Sequence, residues 1–217
     1  MRTTRIALAW LLALLLAWPF TASLAAARDC DDGRPGIPED QVALEYVGQV
    51  TNLPGTTDHP LGTSQQYGYF TFVRGIDTAF SGSPANETTA RFTFFTDVVT
   101  MRVISNGPLR IISREGDTAV YLDTSLASFS NPDSFRAGTL IQASTIQQQV
   151  VVDTLTGLFT VVNVNTITST DKFAVGEEEC ELGQRGGMYR TTLTGHLNSP
   201  APPSGHFGGY AVGIGRK

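Results

Sequence analysis

From residue 42 onward, Thr, Val, Ile, Phe and Tyr recur in runs bounded by Gly, Pro, Asn and Asp, and no apolar stripe repeats every 3.6 residues. The runs predict strands at 42–51, 67–76, 90–105, 109–114, 118–122, 139–152, 158–171, 188–197 and 207–214. Several exceed the usual five or six residues. Ser105-Asn106-Gly107-Pro108 lies between two apolar runs, and Asn-Gly suits the positive φ angles of a tight hairpin. Glu115-Gly116-Asp117 predicts a further reversal. Asp153-Thr154-Leu155-Thr156-Gly157 predicts a third, with Gly157 in the left-handed position.

Strands joined this way form an antiparallel meander, and nowhere does the spacing fit a βαβ unit. Long strands leave long edges, which closure of the sheet hides. The expected fold is all-β, a single antiparallel β-barrel of about eight strands, favoured over a two-sheet β-sandwich. Gly208, Gly209, Gly213 and Gly215 in the last strand fit the bulges and corners of a closed sheet. Polar residues on both parities of 142–149 do not fit the lipid-facing band of a membrane barrel.

The first segment is of another kind. Arg2 and Arg5 precede the uncharged stretch from Ile6 to Trp18, and Ala25-Ala26-Ala27 offers small residues for cleavage. That order reads as a secretory signal. The uncharged stretch rises about 20 Å as a helix, short of the roughly 30 Å hydrocarbon core. The predicted organisation is a signal at 1–27, an acidic tail at 28–41 and the barrel at 42–217, with a secreted or periplasmic mature chain not inserted in a membrane. Cys30 and Cys180 form an even pair for an oxidising compartment, and a bond between them is expected.

Hydrophobic residues make up 41% and charged residues 16% of the chain, which excludes a disordered polymer. The net charge of −5, or −7 once 1–27 are removed, disfavours nucleic acid as a partner.

Gly186-Gly187-Met188-Tyr189-Arg190 followed by Gly195 resembles a late stretch of dirigent and allene oxide cyclase barrels. Phe92-Thr93-Phe94-Phe95-Thr96-Asp97 is similar to the aromatic-rich early strand of dirigent proteins. The resemblance implies an eight-stranded antiparallel barrel with a central apolar cavity. It also implies hydrophobic substrates, handled without a metal. The catalytic residues of those families have no position-by-position match.

Chemical candidates are few. His59, His196 and His206 lack metal-ligand spacing, and neither a Gly-x-Ser-x-Gly turn nor a phosphate-cradling loop occurs. Asp97, with Arg102 or Arg190, is the candidate acid–base or head-orienting group, because a mid-strand carboxylate on an apolar face needs a partner. The alternative for Asp97 is an ion-paired charge on the outer barrel face. Phe70 with Phe72, and Phe92 with Phe94, share parity and are candidate ligand-lining residues. A Cys30–Cys180 bond would gather Asp29, Asp31 and Asp32 with Glu177, Glu178, Glu179 and Glu181, a candidate Ca²⁺ cluster without regular loop spacing. No cofactor is expected. The leading expectation is binding of a small apolar or amphipathic molecule without catalysis. The alternatives are a cofactor-free isomerase or cyclase and a structural protein with a filled barrel.

Overall fold

A computed structural model describes residues 37–122, 127–176, 178–198 and 203–216. It contains β1 (Val42–Leu53), β2 (Thr63–Val73), β3 (Phe92–Asn106), β4 (Leu109–Leu122), β5 (Thr139–Asp153), β6 (Leu158–Thr170), β7 (Lys172–Val175), β8 (Glu178–Glu181), β9 (Gly187–Leu197) and β10 (Gly205–Arg216). Eight strands close a barrel in the order β1-β10-β9-β6-β5-β4-β3-β2, and β7 and β8 form a separate hairpin. Every pairing is antiparallel. The barrel therefore replaces the sandwich alternative, and pairing of β1 with β10 removes the last pair of edges.

The predicted hairpins at 105–108 and 153–157 are present, and Gly157 has φ +74°. The reversal at Glu115-Gly116-Asp117 is not. Strand β4 runs straight through it, with Gly116 opposite both Val98 and Ile146. A Cβ at Gly116 would lie 2.1 Å from the Asp97 carbonyl oxygen, so the glycine serves close strand approach and not a turn. The hairpin of β7 and β8 was not anticipated.

The two barrel ends differ. One carries the long connections 74–91, 123–138 and 171–186; the other carries 54–62, 107–108, 154–157 and 198–204. Hairpin β7–β8 plugs the first end, where Phe173, Cys180 and Leu182 join the core with Phe92, Leu122 and Ile141. The Phe92 and Phe173 rings meet edge to face at 5.7 Å. Gln142 Nε2 donates to the Leu182 carbonyl at 2.6 Å, fastening the plug to the wall.

A second apolar cluster lies outside the barrel, where Phe129 and Phe135 cover Tyr67 and Phe95. Thr93 Oγ1 donates to the Phe135 carbonyl at 2.7 Å. Residues of both parities in 92–96 are buried for this reason, one set facing the interior and the other this outer cover.

Replacing Gly116 with alanine tests the continuous strand. The close contact with the Asp97 carbonyl predicts overpacking of about 1–3 kcal/mol. The expected fall in melting temperature is about 3–10 °C, read by circular dichroism.

Candidate functional site

Alternation along eight strands sends one side chain in two into the barrel, and the inward set changes character with depth. Beneath the plug is an aromatic layer: Tyr46 meets Phe94 at 5.4 Å, and Phe70 stacks on Phe94 at 5.7 Å. Polar pairs lie around and below it, two between neighbouring strands and one, from β2 to β5, across the interior. Thr96 and Thr118 hydroxyls are 2.6 Å apart, Asn163 Nδ2 donates to Thr191 Oγ1 at 2.7 Å, and Gln66 Nε2 donates to Gln148 Oε1 at 3.0 Å. Tyr189 donates to Gln142 Oε1 at 3.1 Å, and burial pushes its phenol up to about 12. The void at this level is about 40 Å³, room for no more than a few water-sized groups.

Towards the short-turn end the barrel widens into a cavity of about 410 Å³, within the range of small-molecule sites. Val50, Val150, Val152, Phe159, Val161 and Phe207 supply apolar wall, and Leu61, Val103, Arg110 and Leu197 lie towards the rim. The turns there are tied to one another. Thr154 N and Oγ1 both donate to the Pro108 carbonyl, at 2.9 and 2.8 Å, and Leu197 N donates to the Gly157 carbonyl at 2.8 Å. A rim fixed this way loses little freedom when something enters.

Arg114 stands on the cavity wall and is 8% exposed. Its Nη2 donates to Asn52 Oδ1 at 2.9 Å, its Nη1 to Gln148 Oε1 at 3.3 Å and its Nε to Thr100 Oγ1 at 3.4 Å. All three acceptors are neutral. No carboxylate among the described residues pairs with it. Burial pushes the guanidinium down to about 10, which leaves it cationic at neutral pH. Because its pKa is lowered, the cost of burying the charge is present at neutral pH and is relieved only as pH rises past about 10.

The sequence-predicted candidates fall into three places. Phe70 and Phe94 face the interior in the aromatic layer, while Phe92 is sealed under the plug. Phe72 is on the outer face. A bulge pairs Tyr46 with Phe70 but Glu45 with Phe72, and the extra residue turns Phe72 outward, away from Phe70. Asp97, Arg102 and Arg190 are exposed on the outer surface, far from any shared site. Asp97 accepts from Gln65 Nε2 at 3.1 Å and pairs with Arg136 at 3.5 Å, the outer-face arrangement. The Arg136 guanidinium also lies 4.2 Å over the Phe95 ring and pairs with Asp133.

Asp29, Asp31, Asp32, Glu177 and the Glu178 side chain lie outside the described residues. Glu179 and Glu181 are exposed, and Glu179 pairs with Lys172 at 2.6 Å. No group of three metal-ligating side chains occurs among the described residues. Cys180 is buried in the core and Cys30 lies outside the described residues.

Sequence reasoning missed Arg114. The signal was present: Ile112, Arg114, Gly116, Thr118, Val120 and Leu122 share one parity, and the last two are core residues. Reading Gly116 as a turn broke that count.

The chain matches no protein-family model, no curated protein and no solved structure.

A buried cation held only by neutral groups contributes little to stability beyond its packing. Arg114→Met is therefore expected to melt within about 2 °C of the wild type or above it. A loss above about 5 °C would make the guanidinium a structural cross-link.

Proposed function

We propose that this protein is exported, cleaved after Ala27, and holds one small amphipathic molecule in the barrel cavity without transforming it. The observation that carries this reading is the 410 Å³ space with its apolar wall and tethered rim. A structural protein with a filled barrel has no use for such a void, since empty apolar space costs packing energy in proportion to its volume. A cyclase or isomerase of the dirigent or allene oxide cyclase type needs an acid or base at the cavity. Asp97, Arg102 and Arg190 stand outside the barrel, and among the described residues no Asp, Glu, His or Tyr lines the cavity.

The same reading includes a Cys30–Cys180 bond. Cys180 sits in the plug, so the bond would anchor the N-terminal tail where the barrel is sealed. Closing so long a loop is worth at most about 4–5 kcal/mol in the chain-entropy model.

N-Phenyl-1-naphthylamine, a neutral apolar fluorophore, tests the cavity directly. One saturable site per chain is expected. Val161→Phe narrows the wall and Leu197→Trp crowds the rim; each should weaken binding at least tenfold while circular dichroism is unchanged. Absence of saturable binding to the wild type would refute the reading. Mass spectrometry of the exported protein, digested without reductant, should yield an N-terminus at Arg28 and a linked peptide pair containing Cys30 and Cys180. A retained Met1 or two unlinked cysteines would overturn cleavage of the signal or the bond respectively.

A further inference from the structure

The cavity is basic within an acidic protein. Arg110 and Arg114 line it and, among the described residues, no Asp or Glu does, although the chain as a whole carries −5. We infer that the bound molecule carries a singly charged oxyanion head, such as a carboxylate or a sulfate ester, and that Arg114 receives it. This deepens the binding reading above and rests on it.

A buried guanidinium is ordinarily matched by a carboxylate of the same protein, because a cation removed from water needs a counter-charge. Arg114 has none, and its three protein acceptors occupy three of the five N–H groups that a guanidinium offers. Two N–H groups remain for an incoming ligand, and the planar fork suits a head with paired oxygens. A second observation points the same way. Gln148 is 3% exposed, its Oε1 accepts from both Gln66 and Arg114, and its Nε2 is buried without a hydrogen-bond partner. Gln148 stands behind Arg114 and outside the cavity lining, so its spare donor marks a polar cluster at Arg114 that is short of an acceptor.

Position supplies the orientation. In β4, Arg110 lies nearer the Leu109 end and the rim, while Arg114 lies four residues deeper. The head would therefore sit against Arg114 with the apolar body along Val150, Val152, Phe159 and Val161. Arg110, exposed at the rim, would draw the anion in without holding it.

Displacement of N-phenyl-1-naphthylamine by four decyl compounds separates the head from the tail. Decanoate, decyl sulfate, decanol and decylammonium share one chain and differ in charge. At pH 7.5 at least one of the two anions is expected to displace the probe at concentrations tenfold or more below decanol, with decylammonium weakest. The better anion names the head. Arg114→Gln should bring that anion level with decanol, each displacement being referred to the probe affinity measured on that variant. Arg114→Lys, which keeps the charge and loses the fork, should restore part of the preference. Arg110→Gln should leave at least half of it. Decanol matching both anions on the wild type would overturn the oxyanion head and leave the binding reading intact. A preference that survives Arg114→Gln would overturn the role of Arg114. Failure of the probe itself to bind would remove both readings together. Should Arg114→Gln fail to fold, the wild-type series and Arg114→Lys still decide the matter.

Discussion

Closure of the sheet is the constraint on which everything else rests. Once β1 pairs with β10, each barrel strand has two hydrogen-bonded neighbours, and alternation obliges every second side chain to face an enclosed space. An eight-stranded barrel is just wide enough for its own side chains to fill that space or for one small ligand to share it. Both outcomes occur here, at different depths of one barrel.

The difference between the two ends follows from connection length. Long connections have enough chain to fold back, and the one between β6 and β9 builds a hairpin whose Phe173, Cys180 and Leu182 seal the interior. Residues 127–136 lie over the outer wall instead, burying Tyr67 and Phe95 under Phe135. The connections at the opposite end are shorter, and none of them forms a hairpin across the opening among the described residues. Those at 107–108 and 154–157 tie to one another around the cavity. The asymmetry of the container thus begins with loop length.

Polarity within that container is also graded. The aromatic layer packs ring on ring and the polar pairs bond one another, whereas Arg114 is a charge with neutral acceptors only. In a solvent-exposed position such a charge would be unremarked, since water screens it. Inside a wall of Val and Phe the same charge is the dominant electrostatic feature, and it gives the cavity a preference that its shape does not express.

Strand chemistry, hairpins and the all-β class were legible locally, because each depends on residues close in sequence. Asn106-Gly107 and Gly157 mark turns through their own backbone freedom, and Thr-Val-Ile-Phe runs mark strands through side-chain shape. Which face looked inward was less legible. Period-2 parity is a local count, and a single extra residue resets it, as the bulge before Phe72 shows. Gly116 carries the same symbol whether it turns the chain or lets two strands approach, and only its neighbours Asp97 and Val98 decide which. Asp97 and Arg114 are both charged residues in the middle of strands. The tertiary structure put one among water, Gln65 and Arg136, and the other inside the wall, because the meaning of a charge depends on what surrounds it and that surrounding is assembled from strands far apart in the chain.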